Sequence, residues 1–254
     1  EIIRFGLLGI AMSRYSGCWT GFKIVSDVAD SGKRYDTALE KFPIIIPDES
    51  FLGEYKDLPR NILYSDTPRD QDYRLQRAKG FAAQEFVRVN NIDISMWKTT
   101  NSKMGIITAG KSYNDVREAL RWLNIDEQKA KELGICIYKV GMPWPLEPHG
   151  VRDFCECLDT VLVVEEKREL IEHQVKWQLY NWKESVRPTV IGKQDEYGSW
   201  LLPPENDLPL QTIVEAISTR LHKITNDSEL LKSLDWFKSR NEEQNNLAVS
   251  YTHL

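Results

Sequence analysis

Residues Met104–Lys167 decide the fold of this chain and read MGIITAGKSYNDVREALRWLNIDEQKAKELGICIYKVGMPWPLEPHGVRDFCECLDTVLVVEEK. Short apolar runs at 104–108, 135–140 and 160–164 alternate with amphipathic segments in which apolar residues recur at helical spacing. Continuous apolar strands that alternate with helices are typical of a parallel sheet covered on both faces. The sequence therefore predicts an α/β domain with an open, mostly parallel sheet and helices on both faces.

The composition is that of a soluble globular protein. The chain has 254 residues, of which 41% are hydrophobic and 28% are charged, and this excludes global disorder. The net charge of -5 is spread along the sequence, so no nucleic-acid partner is expected. No apolar run is long enough to cross a bilayer, and the start does not resemble a signal peptide, so no membrane association and a cytoplasmic location are predicted.

The rest of the chain alternates helical and connecting patterns. Apolar residues at helical spacing predict helices over 2–12, 22–28, 73–90, 170–182 and 210–224. Strands are predicted at Phe42–Pro47 and Val186–Gly192, and loops at Phe51–Asp72 and Trp200–Pro209, where prolines are frequent. The final residues, Val249–Leu254, resemble translated sequencing-adapter read-through, so no function is assigned to them.

The four cysteines, Cys18, Cys136, Cys155 and Cys157, lack the CxxC spacing of iron–sulfur and structural zinc sites. Cys155 and Cys157 lie two positions apart on a predicted helix, so their side chains point in different directions. Reduced thiols are therefore the expected state of all four in a cytosolic protein.

Gly110-Lys111-Ser112 follows the first apolar run and precedes a helix, a position where backbone N–H groups can hold an anion. A phosphate-binding loop needs the spacing GxxxxGK(S/T), which is missing here. We therefore favour Ser112 as the N-cap of its helix, with anion binding as the alternative.

Glu165 and Glu166 follow the third apolar run, at the carboxyl end of a parallel strand, where open α/β sheets place ligands. These carboxylates either act in acid–base chemistry or at a domain interface, or they pair with Lys167 and Arg168 and cap the next helix. The second interpretation is favoured, because the sequence places no further carboxylate or histidine nearby.

Trp144 lies in the proline-rich turn Gly141–Pro148, whose X-Pro bonds restrict the backbone. Packing at a domain interface is favoured for this side chain over a place at an active-site entrance. His149 and His173 have no ligand partner at metal spacing, so surface positions are predicted for both.

Four phrases of the sequence resemble one protein family and occur in the same order there: MSRYSGCWTGFK (Met12–Lys23), GKSYNDVREAL (Gly110–Leu120), YKVGMPWPLEP (Tyr138–Pro148) and VVEEKRELIEHQ (Val163–Gln174). The chain is identified as a member of the fused indolepyruvate:ferredoxin oxidoreductases, which belong to the 2-oxoacid:ferredoxin oxidoreductases. The resemblance runs from residue 1 to about residue 224.

The resemblance implies a fragment of a longer enzyme that uses thiamine diphosphate and magnesium to decarboxylate an aryl 2-oxoacid such as indolepyruvate. Electrons would pass through a 4Fe–4S cluster to ferredoxin, and the acyl group would leave as a coenzyme A thioester. A homodimer is expected for the full-length enzyme. No catalytic residue or metal ligand is expected within this fragment, which alone would bind none of these cofactors.

The same resemblance implies a domain organisation. Residues 1–50 would end a pyrimidine-binding domain, 51–103 would connect, 104–193 would form a domain like the transketolase C-terminal domain, and 194–254 would lead to a missing diphosphate-binding domain. The GDG-type magnesium motif and the cluster cysteines are expected after residue 254, and the thiamine-activating glutamate before residue 1.

The segment Arg14–Lys23 is the part of the chain that the resemblance places nearest the cofactor or substrate. It contains the candidates Arg14, Ser16, Gly17 and Lys23, and a cation beside a 2-oxoacid carboxylate is chemically reasonable. The competing interpretation, helix-end and core packing around Trp19, is favoured.

Two other functions stay open. The chain could be a stand-alone α/β interaction domain without catalysis, or a relative of transketolase or pyruvate dehydrogenase E1. A start without methionine inside a helical pattern favours a truncated enzyme. Cysteine clusters farther along the gene would distinguish the ferredoxin-linked enzyme from both.

Overall fold

The structure, a computed structural model, describes residues 2–32, 34 and 43–225 and the single positions 232, 235 and 239. Val249–Leu254 lies outside the described residues. The chain divides into two compact units: unit 1 comprises Glu1–Asp93 with Pro145–His149, and unit 2 comprises Ile94–Trp144 with Gly150–Leu254. The division at residues 50, 103 and 193 stays a prediction.

Unit 1 is built from helices. They are α1 (Ile2–Ser16), α2 (Ser26–Ala29), α3 (Pro68–Arg74) and α4 (Gly80–Val89), with a 3-10 helix at Glu49–Tyr55 and a π-helical turn at Leu75–Lys79. Helical structure therefore runs from Pro68 to Val89 and confirms the predicted helix, which begins earlier than the sequence indicated. Thr67 explains the early start, because it forms a capping box with Asp70 while Pro68 follows directly.

The inner face of α1 packs in the core of unit 1. Leu8 and Met12 are buried, and the ring of Tyr15 lies 6.0 Å from the ring of Phe86 on α4. The helix predicted at the start of the chain is thus confirmed. It ends where Gly17 adopts a φ of 70° and donates its N–H to the carbonyl of Ser13.

Unit 2 is organised around a five-stranded sheet in the order β1-β3-β2-β4-β5. The strands are β1 (Ile94–Met96), β2 (Met104–Ala109), β3 (Ile135–Val140), β4 (Thr160–Val164) and β5 (Thr189–Ile191). Strands β2 to β5 are parallel, and β1 pairs antiparallel with β3. The predicted open, mostly parallel sheet is confirmed.

Up to residue 225, the described helices of this part of the chain are α5 (Gly110–Trp122), α6 (Glu127–Leu133), α7 (Pro148–Cys155), α8 (Ile171–Leu179) and α9 (Leu210–Ile224). The last of these has the predicted bounds. In the part of the chain that the structure describes, no helix combines the length and apolarity needed to cross a membrane.

Both faces of the sheet are covered. On one face, Ile106 and Ile137 belong to a buried cluster that includes Leu120 of α5 and Ile217 of α9. On the other face, a side chain at Gly105 would meet Phe154 of α7 at 2.7 Å. Glycine at this strand position therefore lets α7 pack directly on β2.

Three local predictions were wrong, and one strand was missed. The loop predicted at Phe51–Asp72 includes most of the 3-10 helix and the first turn of α3. Pro43–Pro47 forms no strand, and Phe42 lies outside the described residues. Instead, the side-chain amide of Asn90 both donates to the carbonyl and accepts from the N–H of Ile45, each at 2.8 Å. The predicted helix at Phe22–Val28 is reduced to α2, because its apolar side chains are exposed and two β-branched residues follow one another. The antiparallel strand β1 was not predicted.

Glu196 joins the loop after β5 to α9. Its carboxylate accepts hydrogen bonds from Lys223 at 2.8 Å and from Arg220 at 2.7 Å. The Lys223 ammonium, a backbone N–H and the Arg220 guanidinium hold the pKa of Glu196 down at about 2, from 4.5.

We expect the free energy of unfolding to depend on pH through the ionisation of Glu196. Because its pKa is lower in the folded state, its stabilisation is present above pH 4.5 and is lost as the pH falls toward about 2. Glu196→Gln should lower the free energy of unfolding by about 1 kcal/mol at pH 7 and by nothing near pH 2, since partial exposure weakens the ion pairs. Urea unfolding from pH 7 to 2.5 measures this, with the exposed Glu205→Gln as control. A difference that does not vary with pH would contradict the assignment.

Candidate functional site

The carboxyl edge of the sheet brings together the two strand-end motifs singled out in the sequence. Thr108 of β2 pairs with Val164 of β4, so Lys111 and Glu166 follow neighbouring strands at the same edge. The chain continues from β2 to β3 on one side and later returns to β4 on the other side. Such a reversal of strand order is where open α/β sheets bind ligands. Lys111 spans it, with its ammonium 3.4 Å from Glu166.

Glu165 caps the N-terminus of α8. Its side chain is 7% exposed, and its carboxylate accepts N–H bonds of 2.9 to 3.1 Å from Leu170, Ile171 and Glu172. Burial raises the pKa of the Glu165 carboxyl, while these N–H groups and the Lys193 ammonium oppose the rise. The predicted helix cap is therefore confirmed, but the predicted pairing with Lys167 and Arg168 was wrong, since Glu166 pairs with Lys111 instead. The interface role of Glu165, Glu166 and Trp144 stays a prediction.

Lys193 and Glu172 complete a buried polar cluster that was not predicted. The Lys193 ammonium donates to the carbonyl of Glu165 at 2.5 Å, and its backbone N–H donates to the Glu172 carboxylate at 2.8 Å. Burial lowers the pKa of Lys193, and the surrounding carboxylates, Glu165 first, oppose this. A side chain at Gly192 would lie 2.3 Å from the Glu172 carboxylate, so glycine is needed for this contact. These hydrogen bonds join the polar groups to each other and to the backbone, which makes the cluster a structural connection between β4, α8 and β5.

The prediction that Ser112 caps α5 was wrong. Gly110 adopts a φ of 55° and turns the chain directly from β2 into the helix, so α5 begins two residues before Ser112. Ser112 is consequently buried on the inner side of the helix. The N-cap position is Ala109, which has no side-chain hydrogen bond to offer.

The four candidates in unit 1 divide into two pairs. The Ser16 hydroxyl donates to the Met12 carbonyl at 2.7 Å and accepts from the Cys18 N–H, so it is used within the end of α1. Gly17 allows close approach of the Arg60 carbonyl. Arg14 and Lys23 are exposed. Ser16 and Gly17 therefore have structural roles at the end of α1, but the predicted core packing around Trp19 was wrong, because Trp19 is 98% exposed. The proximity of any of the four candidates to a cofactor stays a prediction.

The remaining sequence candidates lie at the surface. Trp144 is 66% exposed, which leaves its indole available for a contact outside unit 2. His149 and His173 are exposed, as predicted.

The described residues do not fit a metal or a cluster. Across residues 2–32, 34 and 43–225 and the three single positions, no group of His, Cys, Asp or Glu side chains is placed to hold an ion. Burial raises the pKa of Cys136 to about 11 and that of Cys155 to about 12, so both thiols stay protonated. Cys157 is exposed and lies beyond the end of α7, contrary to its predicted helical position.

Comparison with known proteins gives a consistent family. Residues 94–243 match the model of the indolepyruvate oxidoreductase domain. Indolepyruvate oxidoreductase subunit IorA of Thermococcus kodakarensis is 35% identical over 119 residues, which cover 46% of this chain and 16% of that protein. The same subunit of Pyrococcus horikoshii is 36% identical over 120 residues, also 46% of this chain and 16% of that protein. The matched part thus spans a small share of these relatives.

Two solved structures are similar at low identity. One is 2-oxoglutarate:ferredoxin oxidoreductase from Magnetococcus marinus with 2-oxoglutarate, coenzyme A and succinyl-CoA bound, at a TM-score of 0.39 and 17% identity over 64% of this chain and 25% of that one. The other is a split-gene transketolase, an inactive β4 tetramer. Its TM-score is 0.34 and its sequence identity is 14%, and the match covers 49% of this chain and 40% of that one. The fold class rests on the strand order and pairing described above.

The family match extends over the sheet, its covering helices and α9, and it takes in more than half of the chain. This chain therefore belongs to the indolepyruvate oxidoreductase domain family.

Proposed function

We propose that this chain is part of a thiamine-diphosphate-dependent oxidoreductase that converts indolepyruvate, or a related aryl 2-oxoacid, to an acyl-coenzyme A and passes the electrons to ferredoxin. The observation that carries the proposal is the match of residues 94–243 to the indolepyruvate oxidoreductase domain. The IorA relatives support the same oxidoreductase class. In the complete enzyme, thiamine diphosphate with magnesium would supply decarboxylation chemistry and a 4Fe–4S cluster would carry electrons.

The role proposed for this segment is structural. Residues 104–193 would form the transketolase C-terminal-like domain, between the end of a pyrimidine-binding domain at 1–50, with its connector at 51–103, and a linker at 194–254. The satisfied polar cluster around Glu165 and Lys193 supports such a role, because its groups bond to each other and to the backbone. Catalytic groups would be supplied by other parts of the polypeptide.

Several contacts of the complete enzyme belong to the same proposal. Arg14 and Lys23 are exposed cations suited to a 2-oxoacid carboxylate. Trp144 and Glu166 are candidates for a domain interface. Ferredoxin and coenzyme A are the proposed partners, in a cytoplasmic homodimer.

The test of this function is an assay of the product of the complete gene. Reduction of ferredoxin should require indolepyruvate, coenzyme A, thiamine diphosphate and magnesium together. The proposal would be overturned if the full-length product is folded but fails to reduce ferredoxin with any aryl 2-oxoacid.

We expect the 254-residue chain alone to show no turnover. The physical reason is that its described residues offer no group of side chains placed to hold a metal ion such as magnesium. Carbon dioxide release from indolepyruvate with thiamine diphosphate and magnesium measures this, with the full-length enzyme as positive control. Turnover by the isolated chain above the enzyme-free rate would contradict the structural role.

A further inference from the structure

Two buried polar side chains lie near the carboxyl ends of β2 and β3, where α5 begins. The first is Thr108, which is fully buried and whose hydroxyl has no hydrogen-bond partner among the described residues. Buried hydroxyls without a partner are rare, because each loses its hydrogen bonds to water. The second is Lys139, the partner of Thr108 in the β2–β3 register, which is 8% exposed.

Both side chains face α5. Side chains alternate between the faces of a strand, so Thr108 lies on the face of Ile106, and Lys139 on the face of Ile137. Ile106 and Ile137 pack in the same buried cluster as Val116 of α5. The Lys139 ammonium lies 4.6 Å from the ring centroid of Tyr113, in the first turns of this helix, which confirms the direction of Lys139 independently.

The N-terminus of α5 is electrostatically suited to an anion. The first N–H groups of a helix lack partners within it, and the helix dipole places positive charge there. α5 has no acidic residue in its first turn and no side-chain cap. Its first residue, Gly110, has nothing within 4 Å of the position where a side chain would begin, so there is open space beside these N–H groups.

The neighbouring helix shows the chemistry that this arrangement accommodates. The N-terminus of α8 follows β4 as that of α5 follows β2, and it holds the Glu165 carboxylate through three backbone N–H groups. The chain thus supplies an oxyanion to one helix and not to the other. Lys111 lies at the outer rim of the α5 site and neutralises two carboxylates there. Its ammonium is 2.8 Å from the Asp115 carboxylate and 3.4 Å from the Glu166 carboxylate.

We propose that the N-terminus of α5, with Thr108 and Lys139 beneath it, binds the oxyanion of a small molecule, either a phosphate or a carboxylate group. Backbone N–H groups of the first turn and the Thr108 hydroxyl donate hydrogen bonds to it, and Lys139 supplies the compensating charge. The site lies at the reversal of strand order between β2 and β4, on the side covered by α5. It does not depend on the proposed oxidoreductase function.

The test is an NMR titration of the ¹⁵N-labelled 254-residue chain with inorganic phosphate and, separately, acetate, each against sodium chloride at equal ionic strength. At least one of the two anions should cause saturable shifts centred on the amides of Gly110, Lys111 and Ser112. Whichever saturates identifies the bound group as phosphate or carboxylate. No saturable shift with either anion, or shifts equal to those in chloride, would overturn the proposal.

Variants assign the binding groups. Thr108→Val keeps the shape of the side chain and should weaken binding about tenfold, since it removes one hydrogen bond to a charged ligand. It should not lower the urea midpoint, because it removes a buried hydroxyl that has no partner in the fold. Lys139→Met should weaken binding further, and the exposed Arg121→Gln at the other end of α5 should leave the affinity unchanged. Wild-type affinity in Thr108→Val, or an equal loss in Arg121→Gln, would contradict the site.

Discussion

Glu165→Ala should lower the free energy of unfolding by about 3 kcal/mol at pH 7, because it leaves the buried N–H groups of Ile171 and Glu172, and the partly buried one of Leu170, without an acceptor. The substitution also removes a carboxylate from beside the Lys193 ammonium, whose charge then has one neutralising partner fewer. Urea unfolding followed by far-UV circular dichroism measures the difference.

The neighbouring carboxylate provides the matched control. Glu166 pairs with Lys111 at 3.4 Å in a partly exposed ion pair, so Glu166→Ala should cost less than about 1 kcal/mol. Equal effects of the two substitutions would show that Glu165 is not a structural cap. The acid–base or interface interpretation of this residue would then be the better one.

Gly17→Ala should lower the free energy of unfolding by about 3 kcal/mol. The backbone at Gly17 has a φ of 70°, which is strained for a residue with a side chain. The new methyl group would also lie 2.1 Å from the carbonyl oxygen of Arg60, an atom of the backbone that cannot rotate away. Arg60 is itself held in place, since its guanidinium stacks over the Tyr15 ring at 4.5 Å and pairs with Glu49. Thermal and urea unfolding by circular dichroism give the measured quantity.

Gly21→Ala serves as the control for this prediction. Gly21 has open space around it and no positive φ, so alanine there should change the free energy of unfolding by less than about 0.5 kcal/mol or stabilise slightly. If Gly17→Ala were tolerated as well as Gly21→Ala, the packing explanation would fail. Close approach to a cofactor would then be the remaining reason for glycine at this position.

The central sheet was predictable because its strands are buried on both faces. All of Ile135–Val140 and most of Thr160–Val164 are buried, so the strands read as continuous apolar runs with clear bounds. Strand β1 gave no such signal. It is a three-residue edge strand, Ile94–Met96, of partly buried and exposed residues, and only its antiparallel pairing with β3 defines it.

The segment Phe42–Pro47 shows the opposite error. Its run of isoleucines has the local signature of a strand, yet Ile45 and Ile46 are more than half exposed. The backbone partner that an edge strand would need is replaced by the side chain of Asn90, 45 positions away. A long-range contact of this kind leaves no trace in local periodicity.

The strand-end site was predictable in part. Glu165 stands just before a helix at the carboxyl end of a strand, and those two local features sufficed to predict its cap. Lys193 and Glu172 were missed because they meet across 21 positions, after β5 has joined the sheet beside β4. Thr108 was missed because the feature that singles it out is a buried hydroxyl without a hydrogen-bond partner among the described residues, and only a structure reveals this.

The most direct test of the proposed enzyme is to sequence the intact gene on both sides of this segment. We expect a thiamine-activating glutamate upstream, and a GDG-type magnesium motif with clustered cysteines downstream, in one open reading frame. A start codon near Glu1 with a stop near Leu254 would contradict this expectation and leave a stand-alone member of the family.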